Sequence, residues 1–134
     1  MLRDAAPARI ARRQVAPLVA ARREPAPLRI LSVNVFYGPR TFGGATIVAE
    51  NVNRIMHADH GVDVQVFTTV PTAVAPAHTV RRYEFEGLGV FGMGLPDGRA
   101  DGAAGFDNPD ATSCFREVLE AVAPDVVHFH SIQG

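Results

Sequence analysis

Residues 28–36 read LRILSVNVF, a run rich in β-branched and apolar side chains with few polar interruptions. Such a run fits a parallel strand covered on both faces, because a strand with one wet face would alternate. The turn-rich stretch 37–44, YGPRTFGG, follows it, and then Val48, Val52, Ile55 and Met56 recur at helical spacing with Glu50, Asn53 and Arg54 between them. The spacing predicts an amphipathic helix over 45–58 that buries those four residues. His60 and Gly61 end it, Gly61 being suited to a left-handed cap, and VDVQVF over 62–67 supplies a second strand. Strand, helix and strand make one right-handed βαβ unit, so the fold class is α/β.

Working outward, a loop with Pro71 and Pro76 leads to VRRYEF over 80–85 and then VFGM over 90–93, which read as a third strand or a bent pair. Residues 95–107 are rich in Gly, Asp and Pro and read as a surface loop. Asn108 followed by Pro109 is a good helix start, since Asn caps free amides and proline suits the first helical position. Phe115, Val118, Leu119 and Val122 form the apolar face of that helix, and Pro124 stops it. A last apolar strand, DVVHF over 125–129, runs into His130 and Ser131. This order predicts a doubly wound, Rossmann-like parallel sheet with flanking helices and strand order 3-2-1-4. The first and fourth strands then become neighbours, and the Gly43-Gly44 loop faces the turn at 128–131 across one crevice.

Residues 1–27 differ from the rest. They are mostly Ala, Pro and Arg, with six arginines against Asp4 and Glu24, and four prolines that break any long helix. A disordered extension is expected, with residues 28–134 as the folded part. Contact between the clustered arginines and an anionic membrane surface is a second reading of the tail. No apolar run is long enough for a secretory signal or a membrane span, so a cytoplasmic location is expected, with peripheral contact at the inner membrane as the variant. The formal net charge of −1, with the basic excess in the tail, argues against nucleic acid as a partner of the folded part. All basic residues are arginine, which leaves no lysine for a Schiff base or a Walker-type phosphate site. Cys114 is the single cysteine, so neither an internal disulfide nor a multi-thiolate metal site can form.

Two groups carry chemistry. Gly43 and Gly44 lie where a strand gives way to a helix start, where free amides and the positive helix end favour phosphate; a tight turn is the structural alternative. The pair fails the G-x-G-x-x-G pattern, which disfavours a nicotinamide-type dinucleotide. His128 and His130 alternate along a strand and so share a face. His128 reads either as a core histidine held by a backbone carbonyl or as a site group, whereas His130, nearer the strand end, can reach a substrate. Two imidazoles could begin a metal site, but such sites need more ligands and Ser131-Ile132-Gln133 offers no carboxylate close by.

The stretches ILSVNVFYGPRTFGGATIVAENVNRI and PDVVHFHS, with a helix between them over 108–123, resemble the N-terminal half of the first domain in family-4 (group 1) glycosyltransferases, which have the two-domain GT-B fold. The likeness spans about residues 28–134. It implies an incomplete N-terminal GT-B domain and transfer of a sugar, with retention, from a nucleotide-diphosphate sugar to a glycan, lipid or small-molecule acceptor. It implies no metal, and no cofactor besides that nucleotide sugar co-substrate. Within it, His130 matches the catalytic histidine beside the donor sugar, while Gly43, Gly44, His128 and Ser131 fall at donor-binding positions. The family's second domain, which binds the nucleotide and carries paired glutamates, has no counterpart in these 134 residues. A fragment inactive by itself is therefore expected. A non-catalytic nucleotide-binding or scaffold remnant of the same fold, and a metal hydrolase using His128 and His130, are the competing readings.

Overall fold

The computed structural model describes residues 26–96 and 108–130. The tail, most of the 95–107 loop and Ser131 lie outside the described residues. Among the described residues the order is β1 (Arg29–Val33), α1 (Gly43–His60), β2 (Asp63–Pro71), β3 (Val80–Phe85), β4 (Leu88–Leu95), α2 (Pro109–Val122) and β5 (Val126–Phe129). They form one five-stranded sheet in the order β3-β4-β2-β1-β5. β1 pairs in parallel with β2 and with β5, and β2 pairs in parallel with β4. The expected 3-2-1-4 core is present with β4 as its third strand.

The all-parallel expectation is corrected at one edge. β3 and β4 form an antiparallel hairpin, which makes the sheet mixed. Its turn is Glu86-Gly87, with φ of 49° and 79°, the left-handed pair that matches the twist of two antiparallel strands. Glu86 thus belongs to the hairpin turn and not to β3, which ends at Phe85. β2 also runs four residues beyond the expected 62–67, because β4 pairs with it from Gln65 to Pro71 and proline is tolerated at the last position.

α2 behaves as its sequence foretells. The Asn108 side chain accepts from the Ala111 amide at 3.0 Å, and Cys114, Val118 and Val122 are buried with Leu31, Phe67 and Met93 in the main core. The Cys114 thiol donates to the His78 carbonyl at 3.1 Å. His78 itself is half-buried, with Nδ1 3.6 Å from the Asp110 carboxylate.

α1 departs from expectation on the other face. Its buried residues are Thr46, Ala49 and Asn53, whereas of the four expected ones Val48 and Ile55 are 58% and 46% exposed and Val52 and Met56 only half-buried. Counting apolar residues picks the wrong stripe because the buried polar ones find partners, which removes most of their desolvation cost. Thr46 Oγ1 donates to the Phe42 carbonyl at 2.7 Å, and Asn53 Nδ2 donates to Ser32 Oγ at 2.8 Å and to the Tyr37 hydroxyl at 3.3 Å. Ala49, fully buried, brings the helix close to the sheet.

β5 is an outer strand, with Val126 and Phe129 45% and 47% exposed. Arg29 ties the lower end of the sheet together: its backbone N–H donates to Asp125, its Nε to Asp63 at 2.9 Å, and its Nη1 to the Val122 carbonyl. No helix among the described residues is long and apolar enough to cross a membrane.

Candidate functional site at the strand ends

Asn34, directly after β1, organises the carboxyl end of the sheet. It is buried, its backbone N–H donates to the Phe67 carbonyl at 3.1 Å, and its side chain donates to the Phe36 carbonyl at 2.8 Å. The same amide nitrogen stands 3.5 Å from Thr46 Oγ1 in the first turn of α1. One polar side chain therefore fixes both the loop that leaves β1 and the helix that follows. Sequence reading missed this residue, although a lone Asn at the end of an apolar strand was the available signal.

The glycine pair opens α1 itself instead of preceding it, since the helix begins at Gly43. Gly43 has φ +78°, a left-handed conformation that disfavours any side chain. Gly44 is different: a Cβ added there would meet nothing within 4 Å. Phe42 occupies the cap position without a side-chain hydrogen bond, and the first turn contains no acidic residue. The first amides of α1 lack intrahelical acceptors by geometry and stand at the positive end of an 18-residue helix.

His128 and His130 arrive at the same end of the sheet on β5. Ser32 pairs with His128 and Val33 with Phe129, and the His130 N–H donates to the Val33 carbonyl at 3.0 Å. In-register residues of parallel strands share a face, so His128 lies on the Ser32 side, which carries α1 through Asn53. The imidazole centroids are 4.1 Å apart at 36°, as two same-face residues at i and i+2 allow. His128 is exposed and His130 half-buried. The core reading of His128 is thereby set aside.

His130 Nε2 is buried and has no hydrogen-bond partner among the described residues, a property it shares with Asn53 Oδ1. An unpartnered buried nitrogen costs free energy that a ligand donor or acceptor could recover. Burial holds the His130 pKa below the ordinary 6.5, and the neighbouring His128 pushes it the same way. Above 6.5 both folded and unfolded chains are neutral at this ring. As pH falls through the window between 6.5 and the depressed folded value, the unfolded chain takes up the proton first and stability drops. Urea midpoints measured from about pH 8 to about pH 5 should therefore fall more steeply for the natural chain than for His130→Gln, which cannot titrate there. Parallel curves would show that the ring is not shielded.

Among the described residues no group of three or more His, Cys, Asp and Glu side chains is placed to hold a metal ion. Ser131, the remaining sequence candidate, lies outside the described residues. No family model matches the chain, and neither a curated protein nor a solved structure does.

Proposed function

We propose that the chain forms one wall of a sugar-transfer site in a retaining glycosyltransferase, using a nucleotide-diphosphate sugar as donor. The observation that carries this reading is the convergence, at the carboxyl end of adjacent strands β1 and β5, of a glycine-started helix and a half-buried histidine with an unpartnered ring nitrogen. In an open α/β sheet that end is where ligands bind. The amides at Gly43 and Gly44 would receive the diphosphate, stabilising the leaving group as negative charge develops on it. His130 Nε2 would hold a sugar hydroxyl near the reacting carbon, and His128, stacked against it, would fix the ring's orientation. The acceptor then attacks from the same side as the departing diphosphate, giving retention. The nucleotide itself would be gripped by a second domain, so the 134-residue chain alone binds donor weakly and does not turn it over.

Titration of the isotope-labelled chain with UDP-glucose and GDP-mannose as probes tests the reading. Amide shifts should centre on residues 43–46 and 128–130, with dissociation constants of about a millimolar. Gly44→Ala should stabilise the free chain by up to about 1 kcal/mol, because alanine suits a helix better and meets no neighbour, yet it should weaken the titration by placing a methyl group where the diphosphate lies. Shifts confined to other regions would sink the proposal. Sub-micromolar binding without turnover would instead favour a non-catalytic nucleotide-binding module of the same fold.

A further inference from the structure

A separate cavity of about 330 Å³ opens between the β1–α1 connection and the β3 side of the sheet. Its floor is apolar. Val70, next to the last residue of β2, is 6% exposed, and Val74 follows in the next turn. Tyr37 and Tyr83 supply aromatic walls. Both are held in place: Tyr37 is 3% exposed with its ring edge-on to Phe85 at 6.1 Å, and the Tyr83 hydroxyl donates to the Gly38 carbonyl at 2.9 Å. Gly92 keeps the floor low, since a Cβ there would stand 2.6 Å from Val70 Cγ1 and 3.2 Å from Tyr83 Cε1.

The rim is cationic. Arg81 Nη1 donates to the Val74 carbonyl at 3.0 Å, which fixes its guanidinium at the cavity edge while leaving other N–H groups free. Arg40, also lining the cavity, has no side-chain partner among the described residues. No carboxylate is among the described residues that line the cavity. Glu50 and Glu86 are near enough to act on the Tyr37 hydroxyl, but Glu50 accepts from the Thr41 hydroxyl at 2.7 Å and Glu86 sits in the hairpin turn. The volume falls at the small end of ligand pockets, about 300–1,000 Å³. Arg82, the third arginine of the lining, stands over the Phe91 ring at 5.9 Å, so Arg40 and Arg81 are the cations left for a ligand. An apolar, aromatic-walled hollow with those two forked cations at its mouth matches a small ligand with a ring or apolar body and one anionic group.

We propose that this cavity is a binding site for a small organic anion, a phosphate monoester or a carboxylate, whose body lies between Tyr37 and Tyr83 and whose charge is held by Arg40 and Arg81. None of these residues belongs to the strand-end site, and the proposal does not depend on sugar transfer. The test uses the 134-residue chain without any nucleotide, so either proposal can fail alone.

Phenyl phosphate and benzoate are titrated against the labelled chain, with neutral benzamide as control. Both anions should shift the amides of Arg40, Val70, Val74 and Tyr83, and the tighter of the two identifies the headgroup. Benzamide should bind at least about tenfold more weakly, the change expected for losing one charge-assisted hydrogen bond. Arg40→Ala and Arg81→Ala should each weaken the tighter anion by about tenfold, and added salt should weaken it further. Both arginines are exposed, so the variants should fold, as an unchanged spectrum outside the cavity would show. Equal binding of benzamide and benzoate, unchanged affinity in the doubly substituted chain, or absence of shifts around the cavity would each overturn the proposal.

Discussion

His130→Ala should slow sugar transfer by about a hundredfold or more in an active two-domain enzyme carrying this chain, the range for deleting one preorganised donor at a reacting centre, about 10²–10³. On the proposed reading the effect should fall on kcat with little change in KM for the donor, because a second domain would grip the nucleotide and the lost contact would matter most in the transition state. The fold should survive. His130 is only half-buried, its backbone N–H still donates to Val33, and removing the ring also removes a buried nitrogen without a partner. His128→Ala should have a smaller effect, since that ring orients its neighbour at 4.1 Å. It should also let the His130 pKa rise, because one of the two causes depressing it disappears. Steady-state rates together with imidazole titration by NMR separate these roles. A His130→Ala enzyme that turns over at near-natural rate would remove this residue from the chemistry.

Gly94→Ala should be among the most damaging single changes to stability, costing about 3 kcal/mol, the upper part of the usual overpacking range. A Cβ at Gly94 would collide with the backbone carbonyl oxygens of Ala75 and Pro76. Backbone cannot rotate aside as a side-chain tip can. The same turn is pinned to Gly94 from both sides: the His78 N–H donates to its carbonyl at 2.9 Å, and its own N–H donates to Thr79 at 3.0 Å. Lifting the turn would break those bonds and disturb His78, whose carbonyl receives the Cys114 thiol from α2. Chemical denaturation of Gly94→Ala beside Gly44→Ala makes the contrast direct, since a Cβ at Gly44 meets nothing. Equal midpoints for the two variants would contradict the packing described.

Wherever the signal was local, it was legible in the sequence. Asn108-Pro109 named the start of α2 correctly because capping depends on one side chain and the amide three residues on. Gly61, φ +64°, closed α1 as foreseen. The alternation of His128 and His130 put two rings on one face, and they lie 4.1 Å apart, tilted by 36°. What failed was non-local. The apolar stripe of α1 was misread because Thr46 and Asn53 are stabilised by Phe42, Ser32 and Tyr37, partners up to 21 residues away. The hairpin reads from sequence as a third strand or a bent pair because its edge pairing depends on β4 being held by β2 on the other side.

By itself the sequence determined the α/β class, the βαβ start, the 3-2-1-4 strand core and the two groups, Gly43-Gly44 and His128 with His130, that lie at the carboxyl end of β1 and β5. Periodicity and turn chemistry suffice for that, since each depends on neighbours within a few residues. Only the tertiary structure decided which face of α1 is buried, that Asn34 joins the β1 loop to the helix, that His130 Nε2 lacks a partner, and that Arg40 and Arg81 meet at one cavity. The physical reason is common to all four. Burial, hydrogen-bond satisfaction and charge proximity are properties of pairs brought together across the fold, and one strand of sequence does not carry its partner's position.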